Sequence, residues 1–264
     1  MSLSGKIVWI TGASSGIGRS LAIECARQGA HLMLTARRQD ALEATKSACE
    51  RSDEHAWMVQ DVTDRDSHDR VVKAILERWG RLDVLVLNAG IGQRGSVAET
   101  DPQVERRVME VNYFGQTEVL HAVLPHFLER NAGQIVVVSS IMGKLSTPRR
   151  ATYAASKHAL HGFFEGLRAE TVHTGIDITL LCTGYIKTDI SYHSVKGSGQ
   201  PYGDMDDQHR NAMGTDAYAR KAVRAIMKKK PVAYIGGPER FAPILERLSP
   251  ALVRFLLPRV VTRD

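Results

Sequence analysis

The chain opens with a short apolar run, Lys6-Ile-Val-Trp-Ile10, then Thr11-Gly-Ala-Ser-Ser-Gly-Ile-Gly18, then a helical run from Arg19 to Gln28. Strand, glycine turn and helix in that order are the context a dinucleotide site requires. Gly12 permits a tight turn, Gly16 lets the backbone approach a pyrophosphate, and Gly18 lets the helix pack on the strand. The free N–H groups at the helix start then face the phosphates, which makes Ser14, Ser15 and Ile17 candidate contacts beside the three glycines. The spacing is Gly-x-x-x-Gly-x-Gly instead of the commoner Gly-x-Gly-x-x-Gly, and an ordinary glycine-rich turn is the alternative it has to beat.

Further strands are expected at His31–Thr35, His55–Gln60, Val84–Leu87, Gln134–Ser139, Asp177–Leu181 and Val232–Ile235, with helical segments between them. Apolar strands alternating with amphipathic helices imply a parallel sheet covered on both faces. The expected fold is a single α/β domain of the Rossmann, doubly wound type, with seven parallel strands and helices on both faces. A chain of 264 residues with 43% apolar content has the material for such a core. Residues 1–239 form the dinucleotide-binding and catalytic domain, with an irregular stretch at about 189–215 as a substrate lid. Residues 240–264 form an amphipathic helical extension.

Tyr153 and Lys157 lie four apart, and Ser140 closes the strand just before them. On a helix that spacing puts the lysine head beneath the tyrosine ring. A neighbouring cation lowers a phenol's pKa towards working pH, where a general acid or base is most effective. Ser140 would hydrogen-bond the reacting oxygen. Tyr192 and Lys196 repeat the spacing in a Gly-rich stretch without a strand-end serine, and that pair is read as accidental.

With both ends in place, the chain resembles the short-chain dehydrogenase/reductase family over roughly residues 4–237. Thr11–Gly18 is similar to the family's cofactor turn, Asp61-Val62 to its adenine-contacting pair, and Asn88-Ala89-Gly90 to the motif that ends its fourth strand. Asn112 resembles the helix-interrupting asparagine that holds a water beside the active lysine, and with Ser140, Tyr153 and Lys157 it completes a tetrad. Gly184-Tyr-Ile-Lys-Thr188 resembles the nicotinamide-contacting segment, with Ile186 and Thr188 as the contacts. Thr183 stands where the family usually has proline. The resemblance implies a ketone or aldehyde interconverted with an alcohol, Tyr153 as acid or base, and a homodimer or homotetramer formed through the segments Asp101–Arg130 and Thr152–His173. Within the family, Tyr202-Gly-Asp-Met-Asp206 and the long C-terminus resemble the hydroxysteroid-dehydrogenase-like branch, which implies a steroid-, retinoid- or lipid-like substrate. A dinucleotide-binding sensor or scaffold with little turnover is the alternative.

Cofactor choice is read at the end of the second strand. An NAD enzyme needs a carboxylate there for the ribose 2′-hydroxyl, whereas an NADP enzyme needs cations for the 2′-phosphate. Ala36 is followed by Arg37 and Arg38, so NADP(H) is expected.

Other signals exclude more than they assign. Cys25, Cys49 and Cys182 share no close spacing, which argues against a disulfide framework and a cysteine zinc site and suggests a reducing cytoplasm. His158 and His161 share a helical face, but no closed ligand set accompanies them, so no metal is expected. The net charge of +6 comes without a nucleic-acid motif, and Lys228-Lys229-Lys230 ends a helix, where cations suit the dipole. No signal peptide or spanning apolar run is evident. Between Arg240 and Arg263, apolar residues recur at helical spacing among arginines, and Pro250 can begin a second helix. That pattern suits peripheral contact with a membrane surface, or alternatively a cover over the substrate pocket or a subunit interface.

Overall fold

The computed structural model describes residues 2–204 and 210–261, so Met205 and Asp206 of the Tyr202–Asp206 motif lie outside the described residues. Seven parallel strands form the central sheet: β1 (Ile7–Thr11), β2 (His31–Ala36), β3 (Ala56–Val59), β4 (Val84–Leu87), β5 (Gly133–Ser140), β6 (Ile176–Thr183) and β7 (Val232–Ile235). Their order across the sheet is β7-β6-β5-β4-β1-β2-β3. The expected strands and the observed ones agree within one or two residues at each end. Helices α1 (Gly16–Arg27), α2 (Gln39–Ser47), α3 (Arg65–Trp79), α4 (Pro102–Met109), α5 (Gly115–Glu129), α6 (Ala151–Glu170) and α7 (Thr215–Met227) cover the faces.

Both faces are dry, and the strands show it by alternation. Val8 and Ile10 of β1, with Val136 and Val138 of β5, pack into the core beneath α1 and α7. Ile7 and Trp9, with Ile135 and Val137, pack into the opposite core against α3, α5 and α6. Every residue of β1 is therefore buried, as a strand covered on two sides must be. Strand order reverses between β1 and β4, and a crevice opens there outside the carboxyl ends of the strands.

Two local features shape that crevice. Between α4 and α5 the helix widens into a π-helical turn, Glu110–Phe114, centred on Asn112. The stretch expected as a lid is pinned in its described parts: Val195–Lys196 pairs with Gln93–Arg94, and Met213–Gly214 with Ile186–Lys187. After β7, α8 (Ala242–Leu248) and α9 (Pro250–Val261) form the extension, with Pro250 opening the second helix as its sequence position suggested. The three cysteines are free and buried. Among the described residues there is no cluster able to hold a metal and no helix long and apolar enough to cross a membrane.

Candidate active site

A cleft of about 460 Å³ runs along the switch point. Its lining includes Gly12, Ser14, Ser15, Gly16, Ile17 and Gly18 from the first turn, Arg37 and Arg38 after β2, Asp61 and Val62 after β3, and Asn88, Ala89 and Gly90 after β4. Ser140, Tyr153, Lys157, Ile186 and Thr188 complete it at the other end. Every site residue expected from the sequence faces this one cavity except Asn112, which is fully buried behind it.

The nucleotide end is built for close approach. Gly12 and Gly16 have φ of 66° and 52°, a region open to glycine at little cost. A Cβ on Gly18 would sit 2.2 Å from the Gly12 carbonyl, so a larger residue there would force the helix off the strand. Ser15 precedes α1 in an extended conformation and makes no capping hydrogen bond. The first N–H groups of α1 are thus left for an anionic ligand. Asn88 Nδ2 donates to the carbonyls of Thr11 (2.9 Å) and Gly12 (3.2 Å), fixing the turn against β4. Thr11 Oγ1 accepts from the N–H groups of Asn88 and Ala89. Arg37 and Arg38 are exposed at this end, next to Ala36. Turn and uncapped helix fit a dinucleotide, and the two arginines stand at the same end of the cleft.

At the other end, Tyr153 lies one helical turn before Lys157 on α6, and the ammonium sits 5.8 Å from the ring centroid. Lys157 Nζ is buried and donates to the Val138 carbonyl at 3.2 Å. Burial pushes its pKa from 10.5 down to about 8. Ser140 Oγ accepts from Met142 N (3.1 Å) and donates to the Thr183 carbonyl (3.2 Å). Asn112 is a brace: its Nδ2 donates to the Ile91 carbonyl and Ser156 Oγ, and its Oδ1 accepts from Ile91 N at 2.8 Å. The side chain thus fastens the π-turn to the loop after β4.

The electrostatics depart from the sequence reading, in which Lys157 lowers the pKa of Tyr153. Burial raises the Tyr153 pKa, and the opposing influences are the Arg150 guanidinium and the Ser140 hydroxyl. Arg150 is 5% exposed at the start of α6, three residues before the tyrosine. Its neighbour Arg94 has its pKa pushed down to about 10 by burial and by Arg150, and stands 5.7 Å from the Tyr202 ring centre. The flanking Ile141 and Met142 do not line the cleft; they pack with Ala154 beneath the tyrosine.

Sequence reasoning also missed Glu239. Its Oε1 accepts from Tyr185 N at 2.9 Å and Gly237 N at 2.8 Å, bracing the turn after β6 from the far side of β7. Thr183, in the place of the usual proline, shares a 2.8 Å hydrogen bond with the buried Tyr218 hydroxyl. Nothing local ties Glu239 to the turn after β6, because Tyr185 is 54 residues away. Gln116, which donates to the Ala89 carbonyl at 2.8 Å, was equally silent. Tyr192 of the second Tyr–Lys pair is 51% exposed and outside the cleft.

A doubly wound sheet with a glycine turn and uncapped helix at its switch point defines a dinucleotide-binding α/β protein. A family model described as short chain dehydrogenase matches residues 6–198, and the chain belongs to that family, whose members are oxidoreductases that bind a nicotinamide dinucleotide. It is 38% identical over 258 residues to dehydrogenase/reductase SDR family member 7B of Bos taurus, covering 93% of this chain and 78% of the relative. Dehydrogenase/reductase SDR family protein 7-like of Drosophila melanogaster is 36% identical over 261 residues, covering 97% and 80%. Among solved structures, a short-chain dehydrogenase from Streptomyces avermitilis superposes with a TM-score of 0.82 at 30% identity over 98% of each chain. A mutant actinorhodin polyketide ketoreductase with NADPH has a TM-score of 0.67 at 34% identity, over 70% of this chain and 72% of its own.

Proposed function

We propose that this protein is an NADP(H)-dependent oxidoreductase that interconverts a ketone or aldehyde with an alcohol on an apolar substrate of steroid-, retinoid- or lipid-like character. The observation that carries the reading is the convergence of Ser140, Tyr153 and Lys157 at one end of a cleft whose other end carries Arg37 and Arg38 beside Ala36. The bound dinucleotide supplies or accepts the hydride. Tyr153 gives its proton to the reacting oxygen in reduction and recovers one in oxidation. Ser140 orients that oxygen, exchanging its present bond to the Thr183 carbonyl for one to the substrate. Lys157 would hold the nicotinamide-side ribose and keeps its ammonium 5.8 Å from the Tyr153 ring centre. Asn112 holds the π-turn, beside which a relay water would sit.

The buried lysine favours an enzyme over a sensor. Holding an ammonium with its pKa lowered to about 8 penalises the fold by a few kcal/mol, roughly 1.4 per unit, and a binder without turnover has no need of Tyr153 and Lys157 together. Ile91 and Ile190 give the substrate end an apolar lining. NADPH oxidation across steroid, retinoid, quinone and short aldehyde carbonyls tests the reading. Turnover of bulky apolar carbonyls is expected, and NADPH binding without turnover of any of them would favour the sensor. The reading includes a homodimer or homotetramer through Asp101–Arg130 and Thr152–His173, supported by exposed Phe114 and Leu128. Sedimentation showing only monomer at micromolar concentration would overturn that part.

A further inference from the structure

Large apolar side chains are exposed singly over most of the described surface, at Val59, Val97 and Val172 for example. The extension breaks that pattern. Phe241 just before α8, Ile244 and Leu248 on α8, and Leu252 and Phe255 on α9, each between 42% and 78% exposed, follow one another three or four residues apart. Pro243 and Val253 are buried, Phe241 and Ile244 reach the edge of a groove against α7 and β7, and Leu248, Leu252 and Phe255 stay exposed. The face does not close the active-site cleft: among the described residues none beyond His193 lines it.

Beside this face lies a second groove of about 440 Å³, between the end of α7, the edge strand β7 and α8. Lys221, Arg224, Lys228, Lys230 and Arg240 line it. Among the described residues no carboxylate forms an ion pair with any of the five, whereas Lys229, which points elsewhere, is paired with Asp177 at 2.6 Å. Arg240 stacks its guanidinium 4.8 Å from the Phe241 ring centre, so a cation and an apolar wedge share one position.

We propose that this surface docks the protein on an anionic lipid bilayer, with the apolar face of α8 and α9 inserted at the headgroup boundary and the basic groove on the acidic headgroups. An apolar face flanked by unpaired cations is the combination that shallow interfacial binding requires, and neither half achieves it alone. α9 has twelve residues, about 18 Å of helix, so it lies in the surface and does not cross the roughly 30 Å core. A second copy of the chain is the weaker occupant: a two-fold contact sets like patch against like patch, and would bring the basic groove towards its own image.

The test reads binding and does not depend on turnover. Full-length protein is sedimented with phosphatidylcholine vesicles made with and without phosphatidylserine, at low and high salt. Co-sedimentation is expected with the anionic vesicles, with release by salt. Lys228→Glu with Arg240→Glu should weaken it at least about tenfold, and Leu248→Ser with Phe255→Ser comparably, with NADPH binding unchanged in both. Protein left in the supernatant with anionic vesicles at low salt overturns the proposal. So does binding that is indifferent to phosphatidylserine and to both double variants. An oligomer that the Leu248→Ser, Phe255→Ser variant splits would assign the face to a second copy and equally overturn it.

Discussion

The two walls of the cleft are held by different kinds of bond. On the nucleotide side, Asn88 ties the Thr11 and Gly12 carbonyls, Thr11 returns its hydroxyl to the β4 end, and the glycines let backbones touch. These contacts are made by residues inside recognisable motifs. On the substrate side, Glu239 reaches from beyond β7 to the turn after β6, Tyr218 of α7 reaches Thr183, and Arg150 acts on Tyr153 from the loop before α6. Here each contact is made by a single side chain in an unremarkable sequence setting. The first wall is a fixed cradle for a fixed ligand. The second is assembled from loops that can change without disturbing the cradle, which is where substrate preference can vary within one fold.

If the division is right, the largest effect comes from the group that faces both walls. Tyr153→Phe removes the only phenol placed to exchange a proton, and turnover should fall at least about 10²-fold with NADPH affinity nearly unchanged. Tyr192→Phe is the surface control and should retain turnover. Lys157→Met completes the test, since it should also abolish turnover while stabilising the fold. Lysine released from the fold titrates at 10.5 and in the fold at about 8, so the penalty on the native state is complete below pH 8 and fades as pH rises to 10.5. Against the lost bond to Val138, the net gain below pH 8 should be about 1–2 kcal/mol, measured by denaturant unfolding.

Next in size is a change confined to the cradle. Arg37→Ala should weaken NADPH by roughly 1.5–3 kcal/mol, the range for a charged hydrogen bond, while NADH changes far less. Equal losses for the two cofactors in parallel titrations would mean that Arg37 does not read the 2′-phosphate.

A smaller effect is expected from the far wall. Glu239→Ala leaves the N–H groups of Tyr185 and Gly237 without their acceptor and loosens the turn carrying Ile186 and Thr188. Turnover per bound substrate should drop about tenfold, and Glu239→Gln, which keeps the acceptor oxygen, should restore most of it. A loss of melting temperature with unchanged kcat and KM would reduce Glu239 to a structural role.

The same division explains what the sequence disclosed. Strand positions were legible because burial on both faces writes continuous apolar runs, and the glycine turn because positive φ and a 2.2 Å approach admit no other side chain. Ser140, Tyr153 and Lys157 were legible because one helix and one strand end fix their spacing. Glu239 was not, since Tyr185 is brought near it only by the completed sheet, and Arg150 was not, since no motif spacing marks a cation three residues before Tyr153. The tyrosine's electrostatics were misread for that reason: spacing on α6 drew attention to Lys157, while the guanidinium that favours the phenolate comes from the residue at the helix start.

The smallest effect follows from that correction and discriminates most finely between the two walls. Burial holds the Tyr153 pKa above its ordinary value, so the phenol is protonated at neutral pH and ready to act as an acid. Reduction of a carbonyl therefore needs no help from Arg150 near pH 7, and Arg150→Gln should change that rate by no more than about threefold. Alcohol oxidation needs the phenolate and climbs with pH. Removing the guanidinium removes an influence that lowers the tyrosine pKa, so the rising limb of the oxidation profile should move to higher pH. Arg150→Lys, which keeps a charge there, should bring the limb part of the way back. A limb that stays in place in Arg150→Gln but moves in Lys157→Gln would return control of the tyrosine to the lysine and erase the distinction drawn between the motif-built and loop-built sides of the cleft.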